Sequence, residues 1–207
     1  MRVLLFNGSP RPNGCTYTAL NEIAVTLENE GVEAEILHIG QKPVRDCVAC
    51  FKCKRQSNCV FSDDIVSEWI KKAAEADGFI FGTPVYFSHP TGAILSALDR
   101  MFFCRKDLFV NKPAAAVASA RRGGNIASVD VLGKYFSISQ MPVVSSTYWN
   151  IVYGMTPDEV KRDLEGMQTM RNLGRNMAWL LKCLDAGKAS GVKLPEAESA
   201  FATNFIR

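Results

Sequence analysis

Short apolar runs alternate with stretches of helical hydrophobic periodicity along most of the chain. Residues 3–6 form a continuous apolar run that ends at a Gly-Ser-Pro turn, which is the pattern of a parallel strand buried on both faces. Apolar residues then recur at helical spacing over 18–30, and Gly31 closes that segment. The chain is therefore predicted to open with a strand, a loop and a helix.

The same alternation continues to about residue 146. Further strands are predicted at 32–39, 78–82, 113–119 and 142–146. Helices are predicted at 62–76, 91–103 and 126–136. The helix at 62–76 is expected to open on a Ser62 hydroxyl cap followed by two acids, Asp63 and Asp64. Strands that alternate with helices predict right-handed crossovers and a doubly wound parallel α/β sheet.

A long helix is predicted after Thr156. Thr156 is expected to cap it, with Pro157 at the first helical position and Glu159 at the third, and apolar residues recur at near-helical intervals to about Asp185. The apolar face of this helix must be buried, either against the sheet or against a second subunit. Residues 1–186 are predicted to form a single domain that includes a cysteine-rich loop at 41–61, and 187–207 an irregular tail.

Composition narrows the class of protein. The 207 residues suffice for one domain with a full core, and 47% apolar with 22% charged residues is ordinary for a soluble protein. No apolar stretch approaches the roughly 18 residues of a membrane span, and the chain begins with a strand rather than a secretory signal. We therefore expect no membrane association and a cytoplasmic location. A net charge of +3 is too small to indicate nucleic-acid binding.

The loop after the first strand has the chemistry of a phosphate site. It offers the backbone N–H groups of Gly8 and Gly14, the hydroxyls of Ser9 and Thr16, the guanidinium of Arg11 and a helix N-terminus. It lacks the Gly-Lys-Ser/Thr of a triphosphate loop and the Gly-x-Gly-x-x-Gly of a dinucleotide site, so a terminal monophosphate fits better than a pyrophosphate. The alternative is a plain Gly/Pro turn that joins strand to helix.

A second loop, at 83–87, follows the third strand and faces the same edge of the sheet. It is a rigid turn with an aromatic residue. It is expected to lay backbone amides along the edge of a planar ligand and to place a ring near the face of that ligand.

Four of the seven cysteines lie in one loop, Cys47, Cys50, Cys53 and Cys59. Spacings of two, two and five residues resemble ferredoxin runs and predict a [4Fe-4S] cluster. Free thiols and a zinc site are the alternatives, although structural zinc sites usually combine two separated cysteine pairs. Disulfides are disfavoured in a reducing compartment. Cys104 and Cys183 lie in predicted helices and are expected to be core thiols.

Positive residues surround these cysteines, with Asp46 as the acid among them. They are expected to stabilise an anionic cluster, to guide an acidic redox partner, or simply to keep a solvated loop soluble. The positive residues are Lys42, Arg45, Lys52, Lys54 and Arg55.

Three short motifs together resemble the NADPH-dependent FMN reductase family of flavodoxin-like proteins. They are Gly8-Ser9-Pro10-Arg11 with Thr16, Pro84-Val85-Tyr86, and Leu98-Asp99-Arg100. The four-cysteine loop narrows the resemblance to the iron–sulfur flavoprotein branch. The resemblance implies a flavodoxin-like three-layer sandwich, with a five-stranded parallel sheet in the order 2-1-3-4-5 and the long C-terminal helix.

The resemblance also implies a set of site residues. The FMN phosphate would be held by Ser9, Arg11, Asn13, Cys15 and Thr16. The isoalloxazine ring would lie against Pro84, Val85, Tyr86 and Phe87, with Ser119, Arg121 and Gly124 nearby. The four loop cysteines would bind the cluster. Hydride transfer to a flavin needs no acid or base from the protein, so no catalytic side chain is predicted.

The predicted function is electron transfer by an FMN-dependent oxidoreductase that is NAD(P)H- or ferredoxin-linked. Its acceptor would be a small molecule or a ferredoxin-like protein, and the family implies a homodimer or homotetramer. One alternative is a cluster-free NAD(P)H:quinone or FMN reductase. Another is a non-catalytic, flavodoxin-like electron carrier, and a third makes the cysteine loop a zinc-stapled interaction surface.

Overall fold

The computed structural model describes residues 1–203 as a parallel sheet with helices on both faces. The strands are β1 (Arg2–Asn7), β2 (Glu33–His38), β3 (Gly78–Pro84), β4 (Ala114–Ala120) and β5 (Ile151–Tyr153). The helices are α1 (Cys15–Asn29), α2 (Cys53–Gln56), α3 (Val66–Ala73), α4 (Gly92–Arg105), α5 (Asn125–Ile138), α6 (Pro157–Arg162) and α7 (Leu164–Ala189). A short 3-10 helix, Lys106–Leu108, follows α4.

The sheet has the order β2-β1-β3-β4-β5 with every pairing parallel, which confirms the flavodoxin-like topology. Strand order reverses beside β1, whose last residue Asn7 is level with Gly82 of β3. Pro84 of β3 is in turn level with Ser119 of β4. The carboxyl ends of the three central strands therefore meet at one edge, where open α/β sheets bind their ligands.

Two apolar cores lie on the two faces of this sheet. Within β1, Leu4 and Phe6 join the core under α3, α4 and α5, whereas Val3 and Leu5 join the core under α1 and α7. This separation follows from the two-residue period of a strand. Both faces are covered, which explains why β1, β3 and β4 are apolar runs with no polar alternation.

The predicted fifth strand at 142–146 is wrong. Val143 makes only an isolated bridge to Ala114 at the start of β4, and the actual β5 pairs with the last three residues of β4. Pro142 has no N–H to donate, and the polar run at 145–147 does not continue an apolar strand. The apolar Ile151 and Val152 are buried and pair with the end of β4 instead.

The predicted long helix is two helices. The start is confirmed, since the Thr156 side chain accepts a hydrogen bond from the backbone N–H of Glu159 at 3.2 Å. The helix stops at Asp163, whose backbone has φ −73° and ψ 80° and whose side chain caps α7 by accepting from Gly166. The expected Ser62 cap is also wrong, because α3 begins at Val66 with no side-chain cap on its preceding residue.

The C-terminal segment is predicted as an irregular tail from 187, but α7 continues to Ala189. Residues 192–203 form no helix or strand, and 204–207 of the predicted tail lie outside the described residues. Among the helices of residues 1–203, none combines the length and the apolar content that crossing a bilayer requires.

Close contact between α1 and α7 generates the first prediction. A Cβ at Gly174 of α7 would lie 2.9 Å from Cβ of Thr26 and 3.2 Å from the carbonyl oxygen of Ile23. Gly174→Ala should therefore lower the free energy of unfolding by about 1–3 kcal/mol, as overpacking does. Gly133→Ala in α5 is the matched control, because its Cβ would meet nothing within 4 Å. It should gain about 0.5–1 kcal/mol from helix propensity.

Urea denaturation of the two variants and the unsubstituted chain gives these free energies directly. Equal stability of the two variants would show that the α1–α7 packing is looser than the structure indicates.

Candidate functional site

A cavity opens at the carboxyl edge of the sheet, beside the end of β1. Its unfilled space, counted out to the open mouth, is about 560 Å³. It is lined by Ser9, Arg11, Cys15, Thr16, Pro84, Val85, Tyr86, Ser119, Ala120, Arg121, Gly154 and Met155. The structure thus brings together most of the residues that the sequence assigned to FMN, and their role in binding stays a prediction.

Three predicted residues, Asn13, Phe87 and Gly124, do not line this cavity. Three lining residues, Ala120, Gly154 and Met155, were not predicted. Gly154 and Met155 follow directly after β5. Because that strand was predicted at the wrong place, these two residues were not predicted to line the cavity. The run of Ile151 to Tyr153 ending at a glycine was the available signal.

The loop after β1 is held in place by hydrogen bonds to its own side chains and to neighbouring strands. Ser9 donates its N–H to Asn7 Oδ1 at 3.1 Å, and Arg11 donates its N–H to Ser9 Oγ at 3.1 Å. The Ser9 carbonyl lies 2.8 Å from Nε2 of His38. Gly8 donates to the Gly82 carbonyl at 2.8 Å, and a Cβ there would lie 2.8 Å from Cβ of Ile94. The loop is therefore fixed before any ligand arrives.

The N-terminus of α1 points its free donors at this cavity. Its N-cap is Gly14, no side chain caps it, and no acid lies in the first turn. The first N–H groups of a helix have no partner within the helix, and they carry a partial positive charge. Thr16 Oγ1 lies 2.8 Å from Ser119 Oγ, and this bond ties α1 to the end of β4. The result is a donor-rich pocket whose lining contains two arginines, Arg11 and Arg121, and no acid.

Cys15 is a neutral thiol at the same helix start. Burial raises the pKa of this thiol, and the nearby charge of Arg11 lowers it less. Sγ lies 3.6 Å from the Gly154 carbonyl oxygen, to which it donates. Cys15 therefore joins the loop after β5 to α1.

The turn after β3 differs from expectation in one respect. Val85 donates its N–H to the Ser119 carbonyl at 2.9 Å, and Tyr86 donates to His89 at 2.8 Å. These two amides are already bonded within the protein, so neither is free to lie along a ligand edge. The side chains of Pro84, Val85 and Tyr86 line the cavity at this turn.

The tip of that turn is strained and exposed. Phe87 and Ser88 both have left-handed backbones, with φ of 51° and 60°, inside the Tyr86–His89 bridge. Gly124 packs against this tip, since a Cβ there would lie 2.5 Å from Cα of Ser88. Gly124 therefore allows the loop after β4 to touch the turn after β3, and its place near a ligand stays a prediction. The side chain of Phe87 is fully exposed.

A second cavity lies under the cysteine-rich loop. It is lined by Cys47, Val48, Cys50, Phe51, Cys53, Cys59, Val60, Phe61, Arg100, Phe103 and Cys104. The wall opposite the loop is one face of α4, on which Ser96, Arg100 and Cys104 are spaced four residues apart. Ser96 donates to Asp46 of the loop, and the Phe51 and Phe103 rings meet edge-on at 5.6 Å. All four predicted ligands thus face one cavity.

Arg100 anchors this loop to α4. Its side chain is 1% exposed and forms an ion pair with Asp64, which is 2% exposed. Nε donates to Cys59 Sγ at 3.3 Å, Nη1 to the Arg45 carbonyl at 3.2 Å and Nη2 to the Phe61 carbonyl at 3.1 Å. Burial alone would lower the pKa of Arg100, but the hydrogen bonds to Asp64 and Cys59 raise it, so the guanidinium stays charged.

The loop backbone carries a left-handed residue between each consecutive pair of cysteines. These residues are Ala49, Phe51 and Ser57, with φ of 49°, 57° and 54°. Such a conformation costs a residue other than glycine about 1–3 kcal/mol and persists only where its surroundings impose it. Ser57 is the left-handed C-cap of α2, and its N–H donates to the Cys53 carbonyl at 2.9 Å.

The positions of the thiols bear on whether the loop suits a single metal ion or a four-iron cluster. Within residues 1–203, no three cysteine, histidine, aspartate or glutamate side chains converge closely enough to ligate one metal ion. In a cubane cluster each thiolate binds a different iron, so the sulfurs stand around the edge of a cavity instead. The observed arrangement fits the second description.

The two remaining helical thiols differ. Cys104 is buried as expected, and burial together with a hydrogen bond to Cys53 raises its pKa to about 12. Cys183 is exposed on α7, so its prediction as a core thiol is wrong.

Two of the positive loop residues are engaged with the protein. Arg45 pairs with Asp63 at 2.7 Å, and Lys54 donates to the Phe103 carbonyl at 3.1 Å while lying over the Phe103 ring. The other cations, Lys42, Lys52 and Arg55, are exposed.

Comparison with known proteins agrees with this geometry. The family model described as NADPH-dependent FMN reductase matches residues 1–156. An iron–sulfur flavoprotein of Methanocaldococcus jannaschii is 33% identical over 192 residues, which cover 89% of this chain and 99% of the relative.

Two solved structures share the fold. A flavone reductase superposes with a TM-score of 0.69 at 17% identity over 89% of this chain, which spans 64% of that structure's length. A flavodoxin from the domain Archaea superposes with a TM-score of 0.60 at 12% identity, over 88% of this chain and 99% of the flavodoxin. The chain therefore belongs to the NADPH-dependent FMN reductase family, on its iron–sulfur flavoprotein branch.

Proposed function

We propose that this chain is an FMN-dependent oxidoreductase that carries electrons between FMN and a [4Fe-4S] cluster. One observation supports this more than any other. The cavity at the carboxyl edge joins an uncapped helix N-terminus and Arg11 at one end to the apolar turn of Pro84 and Val85 at the other. FMN has the same two parts, because its phosphate is polar and charged while its isoalloxazine ring is flat and largely apolar.

Each part of the cavity has a separate task in the proposal. The N–H groups at the start of α1 and the guanidinium of Arg11 bind the phosphate, which needs donors and positive charge. Ser9 and Thr16 add hydroxyls, and Ser119 fixes the orientation of Thr16. Pro84, Val85 and Tyr86 exclude water from one side of the ring, while Met155 covers the region beyond β5.

The cysteine loop would hold the cluster through Cys47, Cys50, Cys53 and Cys59. The left-handed residues between them support this assignment, as do the thiols spaced around a single cavity and the buried cation of Arg100. When both groups are bound, FMN supplies two-electron chemistry and the cluster one-electron chemistry. The protein positions each group and excludes water, and it provides no acid or base for hydride transfer.

The proposed donor is NAD(P)H or a reduced ferredoxin, and the proposed acceptor is a small molecule or a ferredoxin-like protein. We also propose a homodimer or homotetramer. Supporting it are the side chains of Tyr148 and Trp149, which are 49% and 52% exposed beside an open groove. Aromatic residues are enriched at the cores of protein interfaces.

Removal of Arg11 tests the phosphate end. Arg11→Gln should weaken FMN binding by about 1.5–3 kcal/mol, roughly 10- to 150-fold, because a charge-assisted hydrogen bond is lost. Quenching of FMN fluorescence measures the affinity. Arg122→Gln is the matched control, since this exposed arginine lies near the same edge but outside the cavity lining. Riboflavin, which has no phosphate, should bind both variants as it binds the unsubstituted chain. An equal loss for FMN and riboflavin would contradict the assigned phosphate position.

Iron content tests the cysteine loop. Anaerobic reconstitution with iron and sulfide should give about four irons per chain and a broad visible absorption. Cys50→Ala should lose most of the iron, because one ligand is gone, whereas Cys183→Ala removes an exposed thiol outside the loop and should retain it. Uptake of one zinc without iron would favour the zinc-stapled surface, and no metal at all would favour free thiols.

Stopped-flow reduction tests the enzymatic assignment. The FMN-loaded chain is mixed anaerobically with NADH, NADPH or reduced ferredoxin, and bleaching of the flavin band is followed. We expect rapid reduction by at least one of the two nicotinamides. Failure of both nicotinamides, with rapid exchange only with ferredoxin, would favour the non-catalytic carrier.

A further inference from the structure

Arg100 has a contact that a purely structural residue does not need. Its Nε donates to Cys59 Sγ at 3.3 Å, and among the residues described no other cationic side chain donates to a loop cysteine. The guanidinium is almost fully buried, so this donor and its charge act in a medium of low dielectric constant. Arg100 belongs to the Leu98-Asp99-Arg100 motif, whose resemblance to the family assigns no function to the arginine.

We propose that Arg100 raises the reduction potential of the iron–sulfur cluster by donating a hydrogen bond from Nε to the Cys59 thiolate. This inference rests on the proposed function, because it requires a cluster at the cysteine loop. One-electron reduction adds one negative charge at this cavity. A donor and a cation beside a ligand sulfur stabilise the reduced form more than the oxidised form, and hydrogen bonds to the sulfurs are among the factors that set cluster potentials.

The orientation of the guanidinium supports this role. Asp64 balances the charge of Arg100, but it binds Nη1, whereas Nε faces the sulfur. The Asp64 carboxylate is itself occupied, since Oδ1 accepts from Val66 and Oδ2 from the Arg45 backbone. The cluster cavity therefore meets the N–H donor rather than the acid.

A structural role would leave a different signature. Arg100 also holds the carbonyls of Arg45 and Phe61, so replacing it affects how firmly the loop is attached. A residue that only attached the loop would change stability and iron content. It would not change the potential of those clusters that do assemble, and the potential is therefore the measurement that separates the two roles.

The test compares two charge-conserving substitutions in the anaerobically reconstituted full chain. Arg100→Lys keeps the positive charge and loses the Nε donor. Arg45→Lys is the matched control, because both arginines pack against the same ring. Cζ of Arg45 lies 5.2 Å from the centroid of the Phe61 ring, and Cζ of Arg100 lies 5.5 Å from it. The Arg45 side chain is 56% exposed and bonds Asp63, not a cysteine. Redox titration followed by electron paramagnetic resonance gives the cluster potential.

We expect Arg100→Lys to lower the ratio of reduced to oxidised cluster at least tenfold at a fixed potential, which is about 59 mV for one electron. Arg45→Lys should change it much less. A second variant, Arg100→Gln combined with Asp64→Asn, removes both charges together and leaves no buried charge unpaired. It should lower the cluster potential as well. If Arg100→Lys does not fold, this double variant tests whether Arg100 raises the potential.

Three results would overturn the proposal, and they are distinguishable. Iron-loaded Arg100 variants with an unchanged potential would remove the tuning role and leave the cluster assignment standing. Loss of iron from both Arg100 variants, with full iron in Arg45→Lys, would make Arg100 a structural residue only. An unsubstituted chain that takes up no cluster would overturn the proposed function itself.

Discussion

The buried ion pair between Arg100 and Asp64 is the interaction on which the arrangement of the cysteine loop depends. Neither charge has access to water. The remaining N–H groups of Arg100 bond the carbonyls of Arg45 and Phe61 and the Cys59 sulfur. The Asp64 carboxylate also accepts from the backbone N–H groups of Arg45 and Val66. Losing one partner of such a pair typically costs about 3–5 kcal/mol, since the other charge stays buried. The pair therefore ties the position of Cys59, through its flanking segments, to α4.

Helix α4 connects the two cavities. At its start, the Thr91 hydroxyl donates to the Gly8 carbonyl at 3.0 Å, and Ile94 packs against Gly8 in the phosphate loop. In its second half, Arg100 and Cys104 line the cysteine cavity. Ile94 and Cys104 are ten positions apart, which is about 15 Å along a rigid helix. The cavities share no lining residue, so this helix fixes their separation without mixing their chemistry.

The sequence predicts the parts that depend on local signals. Buried strands and their order follow from apolar runs and from family resemblance, and the loops after β1 and β3 follow from glycine, proline and polar residues at strand ends. The sequence does not predict features that depend on which segments pair in the folded sheet. Val143 and Val144 are as apolar as Ile151 and Val152. Contact with the end of β4 selects Ile151–Tyr153, which brings Gly154 and Met155 into the cavity. The contact of Arg100 with Cys59 spans 41 positions and has no local signal.

The two sites differ in how much of their shape exists before a ligand binds. The phosphate loop is closed by its own hydrogen bonds and by a glycine that admits no side chain, so FMN binding there pays little ordering cost. The cysteine loop instead contains three left-handed residues that cost about 1–3 kcal/mol each, and one of them, Phe51, packs edge-on against Phe103 of α4. A group that binds all four thiols would offset this cost. Retention of such a group would therefore be coupled to the stability of the loop, whereas the cavity beside β1, which shares no lining residue with the cysteine cavity, would depend on neither.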